Sequence, residues 1–300
     1  MQTAISGLHH VTAMCASPQE NIDFYVKSLG RRLVKRTVNF DEPGTYHLYY
    51  GDHAGSPGTI ITFFPFVDAG PGRAGPGMAS AMALSAPVGG IGDAAQMLAE
   101  HGIDFAGPVE RFGESVIAFA DPDRMPLEIV ERPGQDYGHI AGITLWVRDP
   151  EPSARVLTDV MGLTAMGEER DGQGQRLRFK TTDGTTVDLL RAETRVPGAM
   201  GAGTFHHVAF RVPDHETHLA WRERVAAAGL DVTPVIDRQY FDAIYFREPG
   251  GVLFEIATDP PGFATDEPVE TLGRSLKLPP RYEAVRGRIE KILPPIRVPA

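Results

Sequence analysis

Residues 10–30, HVTAMCASPQENIDFYVKSLG, and residues 142–162, GITLWVRDPEPSARVLTDVMG, align without a gap and decide the architecture. Ser17-Pro18 falls on Asp149-Pro150, and Leu29-Gly30 on Met161-Gly162. Each copy reads as an alternating apolar strand, a capping residue, proline at the first helical position, an apolar helix and a terminating glycine. Ser17 and Glu20 have the spacing of a capping box. A second ungapped repeat sets Gly102-Ile103-Asp104 on Gly229-Leu230-Asp231, Pro122 on Pro249 and Leu127-Glu128-Ile129 on Phe254-Glu255-Ile256. The chain is therefore a tandem duplication of a pair of modules, spanning residues 5–70, 76–132, 138–195 and 203–262. In the first, a helix around Asn21–Leu29 precedes strands at His47–Tyr50 and Thr59–Phe64. In the fourth, a helix over His215–Ala228 precedes strands at Ala243–Phe246 and Val252–Ile256. Gly/Pro-rich stretches at Asp68–Met78, Glu131–Gly138 and Arg195–Gly203 separate the modules. Beyond Pro260, proline-rich ends flank one helical segment, Tyr282–Leu293, with apolar residues to pack on the outside of the fold.

Composition narrows the partners. Of 300 residues 42% are hydrophobic and 23% charged, enough to bury a substantial core in one large or two medium domains. The formal charge of −10 argues against nucleic acid or an anionic membrane as the main partner. The one cysteine, Cys15, allows no internal disulfide and fits a reducing cytoplasm. MQTAISGLHH lacks the basic and apolar regions of a signal peptide, and no apolar run approaches the roughly 18 residues of a membrane span. A cytoplasmic protein is expected.

Chemistry enters with a doublet that occurs twice, His9-His10-Val11 and His206-His207-Val208, each opening an apolar strand. A lone histidine in such a strand is ordinarily a satisfied core residue. Two doublets, with Glu255 in the strand VLFEI, instead supply the ingredients of a two-histidine, one-carboxylate facial triad with open coordination positions.

A strand–helix–strand–strand–strand unit cannot close its own sheet, so pairs of modules must share one. This repeat resembles the vicinal oxygen chelate superfamily, over most of residues 5–262. The resemblance implies an α+β fold of four βαβββ modules forming cupped sheets around a divalent metal. Its glyoxalase-like domains would be residues 1–135 and 136–262, followed by a tail at 263–300. The family takes metal ligands from the first and last strand of each module. On the first strand the repeat puts His10, Ser80, Gly142 and His207 at that place in modules one to four. On the last strand it puts Glu128 in module two and Glu255 in module four, with Thr62 and Asp188 or their neighbours in the others. Only modules one and four combine to give His10, His207 and Glu255; modules two and three leave a degenerate cavity in which Glu128 is structural. Strand alternation, with the family ligand just before the Val of the first strand, selects His10 and His207 over His9 and His206, which then sit near the rim.

Within the superfamily, GLHHVT, TFHHVAFRV, DRQYFDAIYFREPGGVLFEIATD and the tail LPPRYEAVRGRIEKILPPI are similar to the Fe(II)-dependent hydroquinone-type ring-cleaving dioxygenases. That resemblance implies iron at His10, His207 and Glu255, with Mn(II) as the alternative. Around a small aromatic substrate and O2 it places His9, Thr12, His206, Arg238 and Tyr245. Tyr245 corresponds to Ala118 in the half without ligands, which favours a functional phenol. Arg238 corresponds to Arg111, which leaves a structural role open. Catechol cleavers keep both histidines and the glutamate in their C-terminal half, where Gly142 breaks the pattern here. The expected product is a ring-opened muconate-type semialdehyde or acid, and a homodimer is expected from exposed module edges. Two rivals share the fold: a glyoxalase-like lyase or isomerase, which typically uses two metal-bound carboxylates, and a metal-free ligand-sequestering resistance protein.

Overall fold

A computed structural model of the chain describes residues 4–67, 70–194 and 196–299. Asp68, Ala69 and Arg195, the first residues of two expected linkers, lie outside the described residues. Module one supplies β1 (Leu8–Cys15), β2 (Arg32–Val38), β3 (Tyr46–Gly51) and β4 (Ile60–Pro65). Module two supplies β5 (Met78–Ala86), β6 (Phe105–Arg111), β7 (Glu114–Ala120) and β8 (Pro126–Glu131). Module three supplies β9 (Ile140–Val147), β10 (Thr164–Asp171), β11 (Gly174–Lys180) and β12 (Thr186–Arg191). Module four supplies β13 (Thr204–Val212), β14 (Ile236–Asp237), β15 (Phe241–Arg247) and β16 (Leu253–Pro261).

Two eight-stranded sheets result, ordered β14-β15-β16-β13-β1-β4-β3-β2 and β10-β11-β12-β9-β5-β8-β7-β6. The first unites modules four and one, the second modules three and two. Each duplicated half therefore gives one module to each sheet. The central pairings, β1 with β13 and β5 with β9, are antiparallel.

The repeat signals act as expected at the helix starts. Ser17 accepts the Glu20 N–H before a helix at Pro18–Ile22, and Asp149 accepts the Glu151 N–H before one at Pro150–Arg155. Both helices then widen into π-type turns, Asp23–Ser28 and Val156–Val160, and end before Gly30 and Gly162, whose positive φ of 62° and 74° suits glycine. The helices cover the convex faces: Val11, Ala13 and Cys15 of β1 pack with Ile22 and Tyr25 in one fully buried cluster. The glycines between modules have a steric cause. Linker residues 70–77 and 196–203 bridge each other at Pro71–Ala202 and Arg73–Ala199, and a Cβ on Gly75 would stand 2.3 Å from the Gly198 nitrogen.

Two expectations are corrected. The tail helix is two short helices, Pro280–Glu283 and Arg286–Ile292, because the segment is anchored at two places. Tyr282 and Arg281 donate to the Phe40 carbonyl, whereas Ile289 is buried in the main core. In module two the counterpart of His207 is Ala81, not Ser80. Thr144 faces Ala81 as Thr12 faces His207, so the second sheet has one residue fewer between its first and last strands. Module two still offers no histidine.

The tail is also pinned by charge. Lys35 of β2 is fully buried, its ammonium 2.6 Å from Asp266 and 2.7 Å from Glu267. Lys35→Met removes the closer of the two cations beside the buried Glu267 carboxylate, leaving Lys277 at 3.9 Å, and should destabilise the protein by about 3 kcal/mol. Urea unfolding checks this; a midpoint unchanged from wild type would mean that the Lys35 ion pairs do not hold the tail.

Candidate metal centre

The sheet register assembles the site. β1–β13 pairing sets Ala209 opposite His10 and His207 opposite Thr12, and β13–β16 pairing sets Glu255 opposite Ala209. His10, His207 and Glu255 thus occupy neighbouring rungs of three adjacent strands, on the concave face. Among the described residues they are the group of three His, Cys, Asp or Glu side chains whose ligand atoms converge. His207 Nε2 lies 2.9 Å and His10 Nε2 3.5 Å from Glu255 Oε2, and the two Nε2 atoms are 3.3 Å apart. These edges are close to the roughly 3.0 Å that separates neighbouring ligands on one face of an octahedron with bonds of about 2.1 Å.

Glu255 is 0% exposed, and neither of its oxygens has an aligned hydrogen-bond partner. A buried carboxylate in that state is costly unless a cation faces it. Burial alone would raise its pKa, but His10 and His207 beside it outweigh that and hold it well below the usual carboxylate range. The donor set and the orphaned carboxylate fit a divalent ion.

Each doublet partner contacts one histidine of this group. His9 Nδ1 is 2.9 Å from His10 Nδ1, and His206 Nδ1 is 2.7 Å from His207 Nδ1. Burial, and next the neighbouring His10, lowers the His9 pKa well below 6.5; burial, and next His207, lowers that of His206 to about 3. Neutral His9 and His206 can accept the Nδ1–H of His10 and His207, the tautomer that would leave both Nε2 lone pairs for a metal. His206 lines the cavity, whereas His9 is buried against Phe241 with ring centroids 5.0 Å apart.

Above the triad lies a cavity of about 520 Å³, walled by Phe40, Phe64, Phe241, Met14, Tyr49 and Tyr245 among others. Tyr245 faces Glu255 across the β15–β16 pair. Arg238 Nε donates to its hydroxyl at 3.1 Å, and Arg238 Nη1 donates to the Asp41 carboxylate at 3.1 Å. Thr12 is fully buried, its Oγ1 2.9 Å from Thr62 Oγ1. Sequence reasoning missed His47, Tyr49 and Phe241. Tyr49 had a signal visible only in the register: it faces Thr62 as Tyr245 faces Glu255.

The second sheet shows the same positions without a metal set. Gly142, Ala81 and Glu128 stand where the first sheet has His10, His207 and Glu255, and Asp188 stands where it has Thr62. Arg111 donates to both Glu128 oxygens, and Arg178 Nε and Nη2 each donate to Asp188 at 2.8 Å. These side chains leave a void of about 10 Å³. Glu128 is ion-paired to Arg111, and Arg111 differs from Arg238 in what it holds.

The depressed His206 pKa has a sign. The unfolded chain protonates this histidine near 6.5 and the folded protein only near 3, so stability should fall as pH drops through that window. His206→Gln should flatten that slope in urea midpoints recorded between pH 4 and 7; an unaltered slope would mean that His206 is solvated.

Comparison with known proteins agrees with this fold. The family profile of the Glyoxalase/Bleomycin resistance protein/Dioxygenase superfamily matches residues 7–129 and again 137–256. MhqO of Bacillus subtilis (strain 168), provisionally named a ring-cleaving dioxygenase, is 45% identical over 97% of both chains. The chlorohydroquinone/hydroquinone 1,2-dioxygenase of Sphingobium indicum is 36% identical over 95% of both. A crystal structure of a provisionally named dioxygenase from Bacillus subtilis superposes with a TM-score of 0.94, at 44% identity over 99% of both chains. The chain belongs to the glyoxalase/bleomycin resistance protein/dioxygenase superfamily and, within it, to the ring-cleaving dioxygenases.

Proposed function

We propose that this enzyme uses Fe(II), with Mn(II) as the alternative ion, and O2 to open the ring of hydroquinone-type para-diols. The observation that carries the reading is the open-faced His10–His207–Glu255 triad at the base of an aromatic-walled cavity. Thr62 stands where a second metal-bound carboxylate would, which favours dioxygen chemistry over a glyoxalase-like lyase. The name of the Sphingobium indicum relative supports a hydroquinone-type substrate. The buried thiol of Cys15 supports a cytoplasmic setting.

His10, His207 and Glu255 would hold the iron, which when bound would supply Lewis acidity toward one substrate hydroxyl and electrons for O2. The protein's own side chains do the rest. Tyr245 accepts from Arg238 Nε, so its phenolic proton is free to be donated to the substrate oxygen that ionises. The Arg238 guanidinium, over the Tyr245 ring at 5.2 Å, favours negative charge at that oxygen. His206, kept neutral with its Nδ1 turned to His207, presents its Nε2–H as a hydrogen-bond donor at the cavity wall. Phe40, Phe64 and Phe241 hold the aromatic ring and exclude water.

Oxygen uptake by anaerobically Fe(II)-loaded protein tests the proposal, with hydroquinone, catechol and methylglyoxal–glutathione hemithioacetal side by side. Uptake with hydroquinone and a new conjugated absorbance is expected. Turnover of the hemithioacetal without uptake would move the enzyme to the lyases. His10→Ala and His207→Ala should each lose bound iron and turnover; full iron in either variant would refute the ligand set. Tyr245→Phe should retain iron and lower kcat by a factor on the order of 10². A wild-type kcat would reduce Tyr245 to packing.

A further inference from the structure

The cavity wall from module one carries a hydrogen-bonded chain with no part in the mechanism above. Tyr49 Oη lies 2.7 Å from His47 Nδ1, His47 Nε2 lies 2.8 Å from Thr62 Oγ1, and Thr62 Oγ1 lies 2.9 Å from Thr12 Oγ1. Tyr49 and His47 line the cavity, and the threonines stand behind them. Burial, and next the nearby His10 and His207, keep His47 neutral, so its ring has one N–H and one lone pair. Of the two hydroxyls flanking it, the phenol is much the more acidic and is the better donor to Nδ1. Nε2–H then donates to Thr62. The Tyr49 proton is thereby committed to His47, and its oxygen faces the cavity as an acceptor.

Tyr245 is the opposite case. It stands at the equivalent place on the other half of the sheet, but arginine can only donate, so its oxygen accepts from Arg238 and its proton is available. The cavity thus offers one donor phenol and one acceptor phenol. A para-diol held through one ionised oxygen matches this pair, because that oxygen needs a donor and the second hydroxyl, still protonated, needs an acceptor. Of the other acceptors on the wall, Asn39 Oδ1 takes the Asp41 N–H, the largely exposed Asp41 carboxylate takes Arg238 through Oδ2, His206 Nδ1 takes His207, and Glu255 faces the two histidines of the triad.

We propose that Tyr49, oriented by His47, accepts a hydrogen bond from the hydroxyl that a bound para-diol keeps protonated, and so selects free diols over their mono-ethers. This rests on the reading of the enzyme as a para-diol dioxygenase. A site built to pair with a hydroxyl rejects the analogue that lacks it.

The test is anaerobic calorimetric titration of Fe(II)-loaded wild type, Tyr49→Phe and His47→Phe with hydroquinone and with 4-methoxyphenol. Iron content and unfolding midpoints serve as fold controls, and oxygen uptake with hydroquinone as the activity control. Wild type should bind hydroquinone roughly tenfold tighter than the mono-ether. Tyr49→Phe should erase that ratio by weakening hydroquinone alone. His47→Phe frees the phenol proton and should narrow or invert the ratio. A Tyr49→Phe protein that keeps the wild-type ratio overturns the role of Tyr49 while ring cleavage stands. An unchanged ratio in His47→Phe overturns its orienting role. Wild type that consumes no oxygen with hydroquinone removes the activity reading, and this inference with it.

Discussion

The arrangement of the first sheet turns on one buried carboxylate. Glu255 has no solvent contact and no aligned hydrogen-bond donor, whereas other buried carboxylates among the described residues are hydrogen-bonded or ion-paired. Glu267 has Lys35, Glu128 has Arg111, Asp188 has Arg178. Only a cation makes the Glu255 environment affordable. The side chains around it are arranged for that cation: two imidazole nitrogens converge on the same point, and each is turned there by a neutral histidine behind it.

The second sheet shows what the same backbone does when the histidines are absent. At equivalent rungs it buries two carboxylates and neutralises them with guanidinium groups, which fill the space that a metal and substrate would need. The contrast explains why one cavity of the duplicated fold is large and the other closed. Arginine serves both sheets, but in different ways. Arg111 grips a carboxylate directly, whereas Arg238 spans from Asp41 to the phenol of Tyr245 and leaves Glu255 to the two histidines.

The module repeat, the helix caps and the residues that converge at His10, His207 and Glu255 were legible because each rests on a local pattern that the repeat duplicates. The histidine doublets declared themselves by recurring, and Glu255 by standing where Glu128 stands. What was hidden depends on register between distant strands. The Ser80 misplacement came from carrying an ungapped offset past a one-residue difference that only the Ala81–Thr144 pairing reveals. Tyr49 carries no motif, and it joins the site because β3 pairs with β4 so that Tyr49 meets Thr62. The tail helix broke because its two ends answer to different anchors, which amphipathic patterning within the segment does not record.

The topology also ties chemistry to the integrity of the whole chain. His10 lies in the first duplicated half and His207 and Glu255 in the second, and they meet only across the antiparallel β1–β13 seam. Neither half alone holds a complete triad, so a metal that binds the assembled site and not its parts stabilises that seam by linkage. The two phenols divide in the same way: Tyr49 comes from the first half and Tyr245 from the second. Since the halves are no longer identical in sequence, their matching positions have diverged into a donor and an acceptor. An asymmetric cavity on a nearly symmetric frame suits a symmetric substrate whose two oxygens must be treated differently.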